Sequence, residues 1–135
     1  MWIDRVQLAA PPGCEPAARD FYGGLLGLTE IAKPEQLRAR GGVWFALDAG
    51  QQLHVGVAEP FAAARKAHPA LAVEPEQLDA LAARLAHAGI QPQWDEAIPG
   101  QRRCYVADPW GNRLELLAGA PASRPAAAAR PRRCG

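Results

Sequence analysis

The sequence contains few cysteines, no long apolar run and almost no net charge. Its three cysteines, Cys14, Cys104 and Cys134, are widely spaced and form no CxxC pair. This argues against a disulfide framework and is typical of a reducing cytoplasm. No apolar run is long enough to cross a membrane, and charges within the first ten residues exclude the apolar core of a signal peptide. We therefore expect a cytoplasmic protein without a membrane partner.

Charge is divided unevenly along the 135 residues. Residues 1–118 carry a net charge of −3, whereas residues 119–135 carry four arginines and no acid, a net charge of +4. An acidic folded part offers no basic groove for nucleic acid. Apolar residues make up 49% of the chain, which is enough for the core of one domain over residues 2–118. The tail of alanine, proline and arginine, 119–135, is predicted to be disordered.

The hydrophobic pattern occurs twice along the chain. Alternating residues predict strands, and apolar residues at helical spacing predict helices. The first half reads as strand 2–10, helix 15–26, strand 28–32, polar loop 33–42 and strands 43–48 and 52–57. The second half reads as strand 67–74, a helix from Pro75 to Gly89, and strands 90–94, 102–108 and 112–118. The sequence therefore predicts an α+β protein of two βαβββ modules, 2–58 and 67–118, joined by a connector at 59–66.

The repeat also has a register. A glycine stands four residues before His54 in the first module and four residues before Glu115 in the second. Arg5 precedes His54 by 49 residues, and His68 precedes Glu115 by 47. Arg5 therefore corresponds to His68, and His54 corresponds to Glu115. Because alternate side chains of a strand share one face, two modules facing each other around a barrel-like cleft would direct all four toward one centre.

Two imidazoles and one carboxylate are typical ligands of a divalent metal ion. His54, His68 and Glu115 suit iron, manganese, zinc or nickel. Glu115 lies in an apolar LELL run, so it needs a partner where it is buried. A metal ion or Arg5 would serve as that partner, and a role as catalytic base is a further alternative.

Two sequence motifs resemble those of a known family. The segments FYGGLLG (21–27) and DPWGNRLEL (108–116) resemble the FY-x-x-x-LG and DPxGNxLEL patterns of the vicinal oxygen chelate superfamily. That superfamily includes glyoxalases, fosfomycin- and bleomycin-resistance proteins and extradiol dioxygenases. The resemblance, which covers about residues 2–118, implies paired βαβββ modules and a metal ion at the four corresponding positions. It also implies a metal that binds two neighbouring substrate oxygens and stabilises an enolate or alkoxide, and a homodimer, sometimes with exchanged modules.

One position departs from the family pattern. Where the family commonly has His, Gln or Glu, this chain has Arg5, which stays protonated and cannot ligate a metal. Three outcomes are open at this point. The two histidines and Glu115 hold the ion alone; Arg5 clamps an anionic substrate group; or Arg5 pairs with Glu115 and replaces the metal. Gln7, two residues along the same strand, is a minor alternative source of an oxygen ligand.

The sequence thus predicts a glyoxalase-like lyase, isomerase or dioxygenase that acts on a small oxygen-rich molecule through a divalent metal. The alternative is a metal-free binding protein of the resistance type with Arg5 paired to Glu115, and a non-catalytic remnant is a third. The DPWGN segment, 108–112, is interpreted as a turn. For Arg102 and Arg103 the sequence leaves open whether they face solvent or the mouth of the cleft.

Overall fold

The computed structural model describes residues 1–119, which form two four-stranded sheets, one for each predicted module. Sheet one has the order β1-β4-β3-β2, with β1 (Arg5–Ala10), β2 (Thr29–Ile31), β3 (Val43–Ala46) and β4 (Gln52–Val57). Sheet two has the order β5-β8-β7-β6, with β5 (Ala70–Val73), β6 (Gln93–Asp95), β7 (Arg103–Ala107) and β8 (Arg113–Ala118). In each sheet the first and last strands of the module pair in parallel, and the other pairs are antiparallel. The predicted α+β fold of two βαβββ modules is confirmed.

The sequence predicts one helix in each module, and both are present. The first module contains one additional short helix. The predicted first helix is divided into α1 (Glu15–Ala18) and a π-helix (Arg19–Leu25), whose wider turn is closed by a bond from the Leu26 amide to the Phe21 carbonyl. The stretch predicted as a loop contains one helical turn, α2 (Glu35–Arg38). A single turn is too short to show apolar periodicity, which is why the sequence pattern misses it. The second module has one long helix, α3 (Pro75–His87).

Each sheet has a core face and an open face. In β4 and β8 the core face is formed by leucine and valine side chains that are at most 1% exposed, namely Leu53, Val55, Leu114 and Leu116. Because side chains alternate along a strand, the residues between them, His54 and Glu115, project from the opposite faces. These are called the open faces because they point away from the shared apolar core, although His54 and Glu115 are themselves only 2% and 8% exposed. The edge strands of the open faces carry solvent-exposed residues: Arg5 and Gln7 on β1, and Ala70 and Ala72 on β5.

The DPWGN turn joins the two modules. The hydroxyl of Tyr22 in the first module donates to Asp108 Oδ2 at 2.8 Å, and both groups are buried. The side chain of Asn112, which is fully buried, donates to the carbonyl of Ala9 at 2.8 Å and accepts from the amide of Ala64 at 2.9 Å. The turn therefore attaches β8 to both β1 and the connector. This is a structural role beyond the chain reversal that the sequence predicts.

The predicted barrel-like cleft is not closed. Within residues 1–119 no strand of sheet one pairs with a strand of sheet two. The modules meet instead through the buried turn and a shared apolar core. No helix in the described range combines the length and apolar character needed to cross a bilayer. Of the predicted tail, only Gly119 lies within the described residues.

Candidate functional site

His54 and Glu115 occupy equivalent places in the two sheets. His54 is the third residue of β4 and pairs with Gln7 of β1. Glu115 is the third residue of β8 and pairs with Ala70 of β5. The strand register therefore repeats the correspondence between the modules that the sequence spacing indicates.

His68 and Glu115 are brought into direct contact. The His68 ring nitrogen Nε2 lies 3.2 Å from Glu115 Oε2. The side chain of Glu115 is only 10% exposed and that of His68 is 21% exposed. His68 lies two residues before the start of β5, and the backbone amide of Glu115 donates to the carbonyl of Pro69 at 3.0 Å. The pairing of β5 with β8 therefore fixes both side chains relative to each other.

The hydrogen bonds of His68 define what the pair can bind. Its Nδ1 lies 2.8 Å from the carbonyl oxygen of Lys66, which can only accept, so Nδ1 carries the hydrogen. In the neutral ring the lone pair of Nε2 then faces a carboxylate oxygen of Glu115. Two lone pairs at 3.2 Å require a proton or a cation between or beside them. A backbone carbonyl that fixes the other ring nitrogen is also the usual outer partner of a metal-bound histidine.

Arg103 holds the second oxygen of Glu115. Its Nη1 donates to Glu115 Oε1 at 3.0 Å and to the Tyr105 hydroxyl at 2.9 Å, and its Nη2 donates to Asp95 Oδ1 at 2.9 Å. The pKa of Asp95 is lowered mainly by the hydrogen bond from the backbone amide of Ala97, and to a smaller extent by Arg103. Arg103 is therefore shared between two carboxylates, and it leaves Glu115 Oε2 as the oxygen directed at His68.

His54 lies apart from this pair. Its ring stacks on Trp44 with centroids 3.9 Å apart, and its Nε2 lies 2.8 Å from Gln52 Oε1. His54 is 2% exposed, and this burial, followed by the charge of Arg5, lowers its pKa. The lowered pKa favours the neutral ring, which is the form that can ligate a metal, and Nε2 of that ring is already bonded to Gln52 Oε1.

Arg5 is not the partner of Glu115 within the chain. Its guanidinium lies 3.5 Å from Asp4, and its side chain is 61% exposed. Arg5 and His68 both line a cleft of about 1170 Å³ that runs between β1 and β5, the facing edges of the two sheets. The residues that line this cleft do not include His54 or Glu115. The cation beside Glu115 is thus Arg103 instead of Arg5.

The donor types fit a divalent ion, but one chain supplies only part of the set. Two ligands of one ion, each bound at about 2.1 Å, lie about 3 Å apart, which matches the separation of 3.2 Å between His68 Nε2 and Glu115 Oε2. Residues 1–119 contain no cluster of three or more His, Cys, Asp or Glu side chains that could hold a metal. His54 is the right type of ligand, yet it lies on the other sheet.

Sequence reasoning missed Arg103 and Tyr105 as members of this site. Both lie on the open face of β7, and Tyr105 pairs directly with Glu115 across the strands. Alternation within 102–108 contains the signal, but neighbouring residues of a strand point to opposite faces, so a shift of one residue exchanges Arg103 for Arg102. Only the register of β7 against β8 decides between them.

Paired βαβββ modules with a histidine and a glutamate on the open sheet faces define a glyoxalase-like class of protein. The chain belongs to the Glyoxalase/Bleomycin resistance protein/Dioxygenase superfamily, whose family model matches residues 9–116. A search of curated proteins finds no significant match.

Solved structures of known proteins resemble the chain along most of its length. A Bacillus anthracis protein assigned to the glyoxalase family is 45% identical, with a TM-score of 0.83 over 89% of this chain and 96% of that chain. Lactoylglutathione lyase from Agrobacterium tumefaciens is 21% identical, with a TM-score of 0.68 over 87% and 93% of the two chains. The genomically encoded fosfomycin resistance protein FosX from Listeria monocytogenes is 19% identical, with a TM-score of 0.68 over 89% and 94%. The last two similarities establish the fold alone.

Proposed function

We propose that this protein is a glyoxalase-like enzyme that acts on a small oxygen-rich molecule with a divalent ion held by His54, His68 and Glu115. The contact between His68 and Glu115, 3.2 Å apart with the histidine tautomer fixed by a carbonyl, carries the proposal. When bound, such an ion polarises substrate oxygens as a Lewis acid.

The chain's own residues have separate roles in this proposal. Lys66 orients the His68 ring through its carbonyl, and Arg103 retains Glu115 Oε1. Glu115 Oε2 is then the proposed ligand and the proposed acceptor of a substrate proton, since a base must lie within hydrogen-bond reach of the proton it removes. Arg5, exposed at the edge of the cleft, is the proposed contact to the substrate in place of a fourth ligand.

We further propose that the site is completed in a homodimer. In one chain the open face with His54 and the open face with Glu115 belong to sheets that do not close on each other. Opposing the open face of sheet one in one copy to that of sheet two in the other would assemble both halves twice, as the symmetry of an isologous dimer requires. The buried unpaired thiols of Cys14 and Cys104 are in keeping with a cytoplasmic setting.

Metal content tests this function. Protein purified without chelators is expected to hold about one divalent ion per chain, as three protein ligands define one site. His54→Ala, His68→Ala and Glu115→Gln are each expected to lower the content at least about tenfold. His87→Ala is the matched control, because His87 is an exposed histidine in the last turn of α3. A wild-type protein that neither retains nor takes up Mn²⁺, Fe²⁺, Ni²⁺ or Zn²⁺ contradicts the proposal.

A metal-free small-molecule binding protein is the second candidate. The ion pair between Arg103 and Glu115 favours it, because a buried carboxylate that already has a cationic partner needs no metal for charge balance. In this candidate a cation still replaces the metal beside Glu115. That cation is Arg103, whereas the sequence suggested Arg5. The metal measurement separates the two candidates directly.

A further inference from the structure

Tyr105 lies in the middle of the open face of sheet two and is contacted by three basic side chains. The guanidinium of Arg113 lies over the ring, 4.8 Å from its centroid, and that of Arg103 lies 5.5 Å from it. The His68 ring meets Tyr105 edge to face, with centroids 5.4 Å apart. The Tyr105 ring therefore contacts two permanent cations and a histidine, all close to Glu115.

The carboxylates of this face do not balance both arginines. Glu115 and Asp95 each accept from Arg103, at 3.0 and 2.9 Å. The remaining oxygen of Glu115 faces His68. Among the ion pairs of residues 1–119, none includes Arg113. Arg113 is thus a cation without a carboxylate in the described part of the chain, next to a second cation whose charge is already shared.

Arg113 is also held in place for binding. It is half-buried, its backbone amide donates to the carbonyl of Ala64 at 2.9 Å, and its guanidinium rests on the Tyr105 ring. It shares the open face of β8 with Glu115 two residues along, a distance of about 7 Å between backbone positions. A planar guanidinium stacked on an aromatic ring keeps its edge donors free for a carboxylate or phosphate.

We propose that Arg113 anchors an anionic oxygen group, a carboxylate, phosphate or phosphonate, of the molecule that binds the open face of sheet two. Because Arg113 lies close to Glu115, the anionic group of the substrate would lie within a few ångströms of the substrate atoms that contact Glu115 and His68. The inference rests on the proposed function for the existence of a substrate and narrows its class from oxygen-rich to anionic. It differs from the sequence-based role of Arg5, which lies on the other sheet and has Asp4 beside it.

Anion binding by the metal-free protein tests the inference. After treatment with EDTA and dialysis, wild type is titrated by calorimetry with inorganic phosphate, methylphosphonate and acetate. Wild type is expected to bind at least one of them in the millimolar range. Arg113→Gln should weaken that binding about tenfold or more, the usual worth of a charge-assisted hydrogen bond. Arg113→Lys should fall between the two, because lysine keeps the charge and loses the fork.

Arg102→Gln is the matched control for overall charge. Arg102 adjoins β7, lies over Trp94 and pairs with Asp79 on α3, so this variant loses the same charge away from the open face and should bind as wild type does. Wild-type affinity in Arg113→Gln, an equal loss in Arg102→Gln, or no binding of any probe by wild type would each overturn the inference. Preference for phosphate and methylphosphonate over acetate would assign a tetrahedral group. A protein that lacks the metal but shows the Arg113 effect keeps the anion anchor and loses the metal-dependent function.

Discussion

At the scale of single residues, Glu15 shows how one ionised side chain supports the frame of the site. Its Oε1 accepts from the amide of Gly42 at 2.9 Å, directly before the strand that carries Trp44. This backbone hydrogen bond is the largest cause of a lowered pKa at Glu15. The folded state therefore binds the proton less readily than the unfolded chain, whose Glu titrates near pH 4.3. The stabilisation is present above about pH 4.3 and is lost as the pH falls through the folded pKa.

Glu15→Gln is accordingly expected to be about 1 kcal/mol less stable than wild type at pH 7, since it replaces a charged acceptor by a neutral one. At pH 3 the difference in the free energy of unfolding should be smaller than at pH 7, because wild type also loses the charge as the pH falls through the folded pKa. Urea unfolding at both pH values measures this. Glu35→Gln, which alters an exposed acid of α2, is the control and should show no such difference. A deficit of Glu15→Gln that is the same at both pH values would show that the charge is not its source.

At the scale of elements, the DPWGN turn determines how the second module is attached to the first. Asn112 is fully buried, and its side chain makes three hydrogen bonds, to Ala9, Ala64 and Asp108. Asn112→Ala leaves the carbonyl of Ala9 and the amide of Ala64, both partly buried, without this partner and opens a cavity in place of a fully buried side chain. We therefore expect a loss of about 3 kcal/mol in the free energy of unfolding. Tyr22→Phe removes only the hydroxyl on Asp108 and should cost about 1–2 kcal/mol. Urea unfolding of both variants beside wild type checks the ranking, and a near-neutral Asn112→Ala would refute the role given to the turn.

The elements themselves were largely predictable, for a physical reason that also explains the exceptions. Period-two alternation identifies strands wherever one face is buried, so β4 and β8 and the opposite placement of His54 and Leu53 follow from the sequence. The short α2 has no such pattern. The partner of Glu115 was not predictable either, because the choice between Arg102 and Arg103 depends on a register shift of one residue.

What the sequence could not supply is the relation between the two sheets. Local patterns place His68 and Glu115 on neighbouring strands, and the structure shows them 3.2 Å apart. Whether His54 joins them depends on how modules pack within or between chains, and packing through a buried turn such as that of Asn112 leaves no periodic trace. The two modules and their fold were predicted correctly, whereas the sequence left open whether the cleft is completed within one chain or between chains, and the two sheets of one chain do not close into a barrel.

At the scale of the whole molecule, the proposed metal site requires two half-sites that face each other across two copies of the chain. The His54 face carries Trp44 stacked on the imidazole ring, with Arg5 at its exposed edge on β1. The Glu115 face carries the charges of Arg103, Arg113 and Asp95. Neither face alone provides three metal ligands within the described residues, and each would supply what the other lacks.

A heterodimer of two inactive variants tests this arrangement most directly. One chain carries His54→Ala and the other Glu115→Gln, each with a different affinity tag, and the mixed dimer is purified after co-expression. If each metal site combines modules from different chains, both substitutions fall in one site of the mixed dimer and the other site is intact. The mixed dimer should then bind about one metal ion, while a dimer of either variant alone binds none. Two results would contradict a metal site shared between two chains: a mixed dimer without metal beside a wild type that holds its full complement, or a wild-type chain that is monomeric in solution.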